Sequence, residues 1–341
     1  KLVSQHQLIV KKYQLASMNL KSLSFTSEFN IGVFFQNHMQ PLIIIGCWFL
    51  LVLLMLWAKH YQKKYRWLYK TSLTIVVLLS LFSLGIWVYQ ENLFNISDKT
   101  RHISMVREQV RFNKKIRADN TSVGTIQKMV MREAQTEQRL KKQGFVSIPS
   151  QGILLPIYND AYSTVGLNAG ANYANRSQND PEGDKIPIMG QGNYGLAAHN
   201  FNDGRTGFSS LQESTNHNAP YYVKGQLNKS SWLNGKYILL ANNKGIYRYS
   251  IVGQTTVSED DTAILNDSQT PKLTIVSCLF PSVQYRIVTH AKLVQVDTWN
   301  HASRHDVNQF NLKIRATNAH ASWYNPGIEE GANGDAGGTK P

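Results

Sequence analysis

Two long apolar runs without a charged side chain lie in the first third of the chain, at 41–58 and 71–89. A helix needs about 20 apolar residues to cross the hydrocarbon core of a bilayer, and both runs are long enough once their flanks are included. The segment between them, 59–70, has five basic residues and no acidic one. Short loops this rich in Lys and Arg stay on the cytoplasmic side. The pattern predicts two membrane helices, a cytoplasmic loop between them, and a chain outside the cytoplasm from about residue 90.

The second apolar run also has the form of a cleaved signal peptide, because a basic stretch precedes it. No small-x-small cleavage site closely follows Tyr89, where the sequence reads QENLFNISDK, so we expect the run to be retained as an anchor. Residues 1–40 have no clear pattern, and the chain starts at Lys1. The sequence therefore leaves open whether one span or two are present.

After the apolar runs the pattern changes twice. Residues 90–144 are charged, with apolar positions at mixed spacing, which predicts a helical stalk with a modest amphipathic face. From 145 to 320, short alternating segments rich in Ile, Val, Tyr and Thr predict an all-β sandwich or barrel. Asn-Lys-Gly at 243–245 is typical of a hairpin turn. Residues 321–341 have little to bury and predict a disordered tail.

The positive charge of the chain is concentrated before residue 146. The formal net charge is +14, whereas residues 146–341 contain fifteen basic and fifteen acidic side chains. A nucleic-acid-binding domain carries its basic patch on the folded part that binds, so this class of function is disfavoured. The basic stalk can contact anionic membrane lipid at about 1 kcal/mol per side chain, although a solvated spacer is the simpler interpretation. With 42% apolar and 17% charged residues, disorder throughout is excluded.

Two cysteines are too few for a disulfide scaffold, and Cys47 lies in the first apolar run. Cys278 ends the strand-like segment LTIVSC in the predicted β domain. Such a residue is an inert buried thiol, a partner in an intermolecular disulfide, or a nucleophile. By itself the pattern favours the inert thiol. A nucleophile also needs a base or a lowered pKa, and a group that stabilises the oxyanion.

Candidates for both accompanying groups are present. His199 ends another short apolar run, in GNYGLAAHNF, and Arg286 lies eight residues after Cys278 at the start of the next strand-like segment. A strand, a tight connection and an antiparallel return bring Cys278 and Arg286 to neighbouring strand ends. A cationic side chain there lowers the pKa of a thiol and holds an oxyanion.

Three segments together resemble the sortase family. LTIVSC followed by seven residues and Arg286 is similar to the family signature, in which a TLxTC strand ends in the nucleophile and an Arg opens the next strand. GNYGLAAHNF is similar to the G-x-x-LAGHN segment that carries the family's His. IPSQGILLPIYNDAYSTVGLNAGANY resembles the opening strands of the class A, housekeeping sortases of Gram-positive bacteria. The resemblance covers about residues 145–297, with order and spacing preserved.

The resemblance implies an eight-stranded sortase-type β-barrel with short helices, and a cysteine transpeptidase. Sortases cut an LPxTG-type sorting signal between Thr and Gly, hold the surface protein as a thioacyl-enzyme, and pass it to an amine of a peptidoglycan precursor of the lipid II kind. Carried over to this chain, Cys278 is the nucleophile and His199 is the acid and then the base. Arg286 binds substrate backbone and stabilises the oxyanion.

The resemblance also implies substrate contacts near the nucleophile. Ala198 stands where the family usually has Gly or Ser, and Ser277 replaces the usual Thr, keeping the hydroxyl and losing a methyl group. Residues 251–272 correspond to the long loop that helps to form the sorting-signal pocket. Its apolar side chains either line that pocket or anchor the loop, and the candidates are Val257, Ala263, Ile264 and Leu265.

No cofactor is expected to be required. Some class A enzymes bind calcium near this loop, and residues 259–261 form an acidic run, Glu-Asp-Asp. Three adjacent acids alternate in direction and are more typical of a solvated turn. We therefore predict no metal site.

Three rival functions have distinct signatures. Pilin-polymerising sortases carry an Asp-aromatic lid motif and often a second membrane span at the C-terminus. Here Asp180-Pro181 is not followed by an aromatic residue, and no apolar run of membrane length follows Cys278. A catalytically silent membrane-anchored binding module would lack one of His199, Cys278 or Arg286. A papain-like protease would carry its Cys on a helix ahead of the His, the reverse of the order here.

Overall fold

The computed structural model describes residues 66–132 and 140–332, with a few positions between 48 and 59. The predicted segment 1–40 and much of the first predicted span lie outside the described residues. Helix α1, Arg66–Gln90, begins within the predicted loop at 59–70. Its stretch Tyr69–Gln90 is the helix, among the described residues, that is long and apolar enough to cross a membrane.

The predicted stalk is helical. Helix α2 covers Ile96–Ala118 and exposes most of its side chains, as expected for a charged segment. The Arg101 guanidinium donates hydrogen bonds to the carbonyl oxygens of Gln212 and Glu213, at 3.2 and 2.7 Å. The second half of α2 places the Phe112 ring 4.9 Å from the Arg315 guanidinium. The stalk helix is therefore bound to the β domain and is not only a spacer.

Helix α3, Val123–Val130, belongs to the folded domain. The Ser122 hydroxyl caps it by accepting a hydrogen bond from the Thr125 amide, at 3.3 Å. Its buried face, Ile126, Met129 and Val130, packs in an apolar cluster with side chains of the barrel strands. The domain therefore begins before the predicted boundary at 145, because these three side chains need the barrel to cover them.

The sheet closes into the predicted eight-stranded barrel. The strand order is β11-β10-β4-β3-β2-β1-β8-β9, and β9 pairs with β11 to complete the ring. A two-residue strand, β7, is added to β9, and β5 and β6 form a separate hairpin. The strands are β1 Gly144–Ile148, β2 Ile153–Tyr158, β3 Ala171–Tyr173, β4 Asn193–Ala197, β5 Tyr222–Val223, β6 Gln226–Leu227, β7 Lys229–Ser230, β8 Tyr237–Ala241, β9 Ile246–Ser258, β10 Lys272–Cys278 and β11 Tyr285–Asp297.

Short helices and turns connect the strands. Helix α4, Thr164–Ala169, lies between β2 and β3, and helix α5, Arg304–Asn308, follows β11. The predicted hairpin between β8 and β9 is present, with the Asn242 amide donating to the Gly245 carbonyl oxygen at 3.1 Å. Single 3-10 turns occur at Leu93–Asn95, Pro149–Gln151, Ser209–Leu211 and Thr262–Leu265.

Alternation along the strands divides the apolar side chains between two faces. On β10, Leu273 and Ile275 enter the main core inside the barrel. Val276, on the other face of the same strand, packs with Leu167 and Leu265 in a smaller outer cluster. The period of two thus puts every second side chain of β10 outside the barrel, toward the face on which Cys278 lies.

The prediction of a disordered tail from residue 321 is wrong for residues 321–332. Residues 316–332 form a folded segment, hereafter the C-terminal loop, whose ends meet in a bridge between Ala316 and Gly331. Glu330 is 3% exposed and forms a buried ion pair with Lys142, at 2.7 Å. Paired polar groups order this segment although it has few apolar side chains. Residues 333–341 lie outside the described residues.

Candidate active site

Cys278 and His199 lie at the same edge of the barrel. β4 and β10 are parallel neighbours, so their carboxyl ends meet there. Cys278 is the last residue of β10, and His199 follows the end of β4 by two residues. The Ala198 amide donates to the Val276 carbonyl oxygen at 3.4 Å, which continues the pairing beyond β4.

Arg286 shares a face of the sheet with Cys278. In the antiparallel β10–β11 ladder the two residues are directly opposite one another, and opposite residues direct their side chains to the same face. On the other side of β11, Val257 of β9 is the partner of Arg286. Three adjacent strands therefore place Cys278, Arg286 and Val257 in one row on one face.

The Arg286 guanidinium is buried and bound from several directions. Its side chain is 2% exposed. One terminal nitrogen donates to the carbonyl oxygens of Val283 and Tyr285, and the other donates to the Glu259 carboxylate at 3.0 Å. These partners fix the plane of the guanidinium. The Glu259 carboxylate, which is one-third exposed, is a counter-charge to this buried guanidinium near the Cys278 strand end.

His199 is enclosed by polar and aromatic neighbours. The residue is 6% exposed, and its Nε2 lies 3.1 Å from the Asn168 side-chain oxygen, on α4. The rings of Phe201 and Tyr324 meet it edge-on, with centroids at 5.2 and 6.2 Å. Burial lowers the pKa of His199 to about 4, because the charged imidazolium loses its hydration. The ring is therefore neutral at pH 7. With Nε2 donating to Asn168, Nδ1 is the basic nitrogen.

The Cys278 segment is held by two buried carboxamides. Cys278 is 8% exposed and its thiol is not in a disulfide. Its carbonyl oxygen accepts a hydrogen bond from the Asn200 side chain at 2.8 Å. Gln212 bonds both the amide and the carbonyl of Phe280, at 3.0 and 2.9 Å, and its oxygen also accepts from Asn200 at 2.9 Å. This network fixes the backbone around the thiol.

A small apolar pocket opens beside Arg286 and Val276. Leu265 and Val276 of the outer cluster line it together with Glu259 and Arg286. The side chains that line it are Ala174, Ser258, Glu259, Asp261, Thr262, Ile264, Leu265, Val276 and Arg286. The site thus combines a thiol, a neutral imidazole, a buried guanidinium and an apolar surface.

The family model described as "Sortase domain" matches residues 146–294, which include His199, Cys278 and Arg286. Residues 146–294 form a sortase domain. Sortase A of Streptococcus agalactiae is 28% identical over 261 residues, which are 74% of this chain and 94% of that protein. Sortase A of Bacillus anthracis is 27% identical over 141 residues, 41% of this chain and 54% of that protein.

A solved sortase A from Listeria monocytogenes is 20% identical, with a TM-score of 0.37, and the match covers 49% of this chain and 94% of that one. The family is one of cysteine transpeptidases, whose substrates are surface proteins and cell-wall precursors. A transpeptidase role follows for the sortase domain of this chain.

The predicted substrate contacts of the sortase domain divide into two groups. Ile264 lines the pocket, whereas Ala263 is exposed and is not among the lining side chains. Val257 lies on the same face as Cys278 without lining the pocket. Ala198 belongs to the main core, and Ser277 is 3% exposed on the face of β10 opposite to Cys278. The structure does not bring Ala198 or Ser277 to the pocket.

Sequence reasoning missed several neighbours of the site. The acidic run at 259–261 predicts a solvated turn, but Glu259 binds Arg286. Asp261 caps the 3-10 turn by accepting a hydrogen bond from the Ala263 amide. Within the described residues no group of three His, Cys, Asp or Glu side chains is arranged to hold a metal ion. Asn168 gave no signal in the sequence. Asn200 had one, because it completes the His-Asn pair of the segment that resembles the family motif.

Proposed function

We propose that the protein is a membrane-anchored housekeeping sortase. It cleaves LPxTG-type sorting signals between Thr and Gly and transfers the surface protein to an amine of a peptidoglycan precursor. The observation that carries the proposal is the alignment of Cys278 and Arg286 on one face, with His199 at the same barrel edge and an apolar pocket beside Arg286.

The first step is acyl transfer to the enzyme. The neutral His199 imidazole takes the proton of the Cys278 thiol, and the sulfur attacks the carbonyl carbon of the substrate Thr. The Arg286 guanidinium stabilises the oxyanion that forms. His199 protonates the Gly nitrogen, the C–N bond breaks, and the Gly-containing peptide leaves. The product is a thioester between Cys278 and the Thr carbonyl. His199 is the general acid in this step.

The second step reverses the proton movement. An amine of the peptidoglycan precursor attacks the thioester carbonyl while His199, now neutral, accepts a proton from the attacking nitrogen. The C–S bond breaks as the new amide bond forms, His199 passes the proton to the leaving sulfur, and both side chains return to their starting state. Water can replace the amine, which makes peptide hydrolysis the side reaction. No cofactor takes part in either step.

The apolar pocket provides a site for the Leu-Pro part of the signal. Ile264, Leu265 and Val276 contribute apolar surface beside Arg286, and burial of a Leu side chain contributes about 1.5–3 kcal/mol. The Arg286 guanidinium, which also lines the pocket, bonds the backbone of the same peptide. This arrangement orients the scissile bond toward Cys278.

A housekeeping role is favoured over pilin polymerisation by the loop that contains Asp180. Its carboxylate accepts hydrogen bonds from the amides of Gly183, Asp184 and Lys185, at 3.0 to 3.1 Å, and so closes its own turn. A lid acid of the pilin type is followed by an aromatic residue, whereas Pro181 follows here.

The domain acts outside the cytoplasm. The basic segment before α1 retains that end of the helix inside, so α1 carries the chain outward. This orientation brings the sortase domain to the side where surface proteins emerge and cell-wall precursors are used.

The test uses the full chain in detergent micelles, a quenched LPxTG peptide and triglycine as the amine. We expect cleavage that yields the peptide joined to triglycine, at a rate that a calcium chelator leaves unchanged. Cys278→Ala abolishes transfer and retains the far-ultraviolet circular dichroism of the parent, while Cys47→Ala, the matched control, transfers normally. Transfer by Cys278→Ala, or its absence in the parent, contradicts the proposal.

A further inference from the structure

The C-terminal loop lies beyond the matched sortase domain, which ends at residue 294. It is closed on itself, because the Thr317 amide donates to the Glu330 carbonyl oxygen at 2.9 Å. Glu330 also accepts hydrogen bonds from Lys142, at 2.7 Å, and from the Tyr158 hydroxyl, at 3.2 Å. At the other end, Asn318 accepts from the Leu154 amide at 2.8 Å. Both ends of the loop are thus fixed to β2, and Glu330 is also bound to Lys142, two residues before β1.

The middle of the loop reaches the surroundings of His199. The Asn325 side chain donates to the Asn168 carbonyl oxygen at 2.8 Å, and the Asn168 side chain in turn meets His199 Nε2 at 3.1 Å. The Asn325 amide donates to the Ala321 carbonyl oxygen at 3.0 Å, which fixes the turn that presents it. Asn168 is therefore bound on one side by the loop and on the other by the imidazole.

An aromatic contact accompanies this chain of hydrogen bonds. The Tyr324 ring stands at 86° to the imidazole of His199 with centroids 6.2 Å apart, and it also packs on Phe201 at 5.8 Å. Trp323 meets Phe201 at 6.0 Å and is 40% exposed. Edge-to-face pairs of this kind set ring orientation as well as excluding water. One face of the imidazole environment is consequently built by residues outside the family domain.

We propose that the C-terminal loop is a positioning element for His199, with Tyr324 fixing the imidazole ring and Asn325 fixing Asn168. The proposal rests on the proposed function, because it assigns how that function's acid and base is oriented. Tyr324 and Asn325 act through His199 and Asn168 and do not touch the reacting atoms. A misplacement of about 1 Å of a catalytic group can reduce a rate by up to a hundredfold, so loss of these contacts is measurable.

The test compares variants of the full chain in detergent micelles. Tyr324→Ala removes the ring, Tyr324→Phe keeps it, and Asn325→Ala removes the bond to Asn168. Ile328→Ala is the matched control, because Ile328 lies on the same loop and is 64% exposed. Each variant is assayed for transfer of the LPxTG peptide to triglycine, and the His199 ring is titrated by NMR after labelling of the histidines, with His199→Gln used for assignment.

We expect Tyr324→Ala and Asn325→Ala to lower kcat about tenfold with little change in KM. In both, the His199 titration moves upward toward the ordinary value, while Tyr324→Phe and Ile328→Ala match the parent. None of the variants replaces Cys278, Arg286 or either residue of the His320–Glu329 pair on the loop.

Three results overturn the proposal. They are an unchanged His199 titration in folded Tyr324→Ala and Asn325→Ala, unchanged kcat in both, or unfolding of both, which assigns the loop a structural role alone. Failure of the proposed function has a different signature, because the parent then transfers no peptide while the titration of His199 still responds to Tyr324→Ala.

Discussion

Cys278 and Arg286 are directly opposite one another across the β10–β11 ladder, so the thiol and the guanidinium share one face of the sheet. A shift of one residue in this pairing register would turn Arg286 to the other face of the sheet. The pairing register is therefore the structural device that brings the positive charge to the thiol.

Arg286→Lys is expected to lower kcat/KM for LPxTG cleavage by roughly a hundredfold. The guanidinium donates to Val283, Tyr285 and Glu259 at once, and a lysine ammonium cannot reproduce this planar arrangement. Loss of one oxyanion donor in an enzyme typically costs about a hundredfold or more. Steady-state kinetics measure the effect, and thermal unfolding shows that the variant is folded. Activity within twofold of the parent would mean that the charge alone is sufficient.

Glu259→Gln is expected to reduce both stability and activity, because it leaves the buried Arg286 charge without its counter-charge. We expect a loss of about 1–2 kcal/mol in the free energy of unfolding, since Glu259 is partly exposed and water replaces some of the interaction. kcat/KM falls several-fold as the guanidinium becomes less fixed. Denaturant titration and peptide cleavage measure the two effects.

Asp260→Asn is the matched control for Glu259→Gln, because Asp260 is the next acid in the sequence and is exposed. It removes the same charge without touching Arg286. Equal effects of the two substitutions would indicate that only the net charge of the loop matters, which contradicts a specific role for Glu259.

Acidification is expected to destabilise the parent more than His199→Gln. Burial lowers the pKa of His199 to about 4 in the folded state, against an ordinary value of about 6.5. Between these values the unfolded chain binds more protons, so stability rises with pH there and is lost as pH falls from 6.5 toward 4. The free energy of unfolding lost between pH 7 and a pH below both values is roughly 3 kcal/mol, as follows from the difference between the two pKa values.

The measurement is the free energy of unfolding of both proteins at pH 7 and pH 4.5. Other titrating groups affect parent and variant alike and cancel in the difference. If the two proteins lose the same stability on acidification, the imidazole is not held neutral by burial.

The barrel and the choice of His199, Cys278 and Arg286 as candidate residues were predictable, because both depend on local patterns. Alternating apolar positions identify the strands, and short motifs identify His199, Cys278 and Arg286. The proximity of Cys278 and Arg286 follows from the antiparallel β10–β11 return, which the sequence predicted. The proximity of Cys278 and His199 follows from the parallel β4–β10 pairing, which the sequence did not specify. Ala198 and Ser277 lie on the face of the sheet opposite to Cys278, because one residue of displacement along a strand reverses the face.

Long-range polar pairs were not predictable. Glu330 and Lys142 are 188 positions apart in the sequence, and this ion pair and Tyr158 order a segment whose few apolar residues predict disorder. Asn168 is 31 positions before His199, and Glu259 is 27 before Arg286. In each case one partner looks like an ordinary surface residue until the fold brings the other to it.

Ile264→Ala is expected to weaken LPxTG cleavage, because Ile264 lines the apolar pocket beside Arg286. The substitution removes a few side-chain carbon atoms, each worth about 0.8 kcal/mol when buried. Only part of this apolar surface faces the substrate, so we expect about a tenfold fall in kcat/KM. The change lies mainly in KM, since the contact forms when the peptide binds and is kept in the transition state. Ala263→Ser is the matched control, because Ala263 is adjacent, exposed and outside the pocket. Peptide kinetics with Leu and with Ala at the first signal position separate the alternatives. If Ile264→Ala lowers kcat/KM by the same factor for both peptides, the side chain anchors its loop and does not bind the signal.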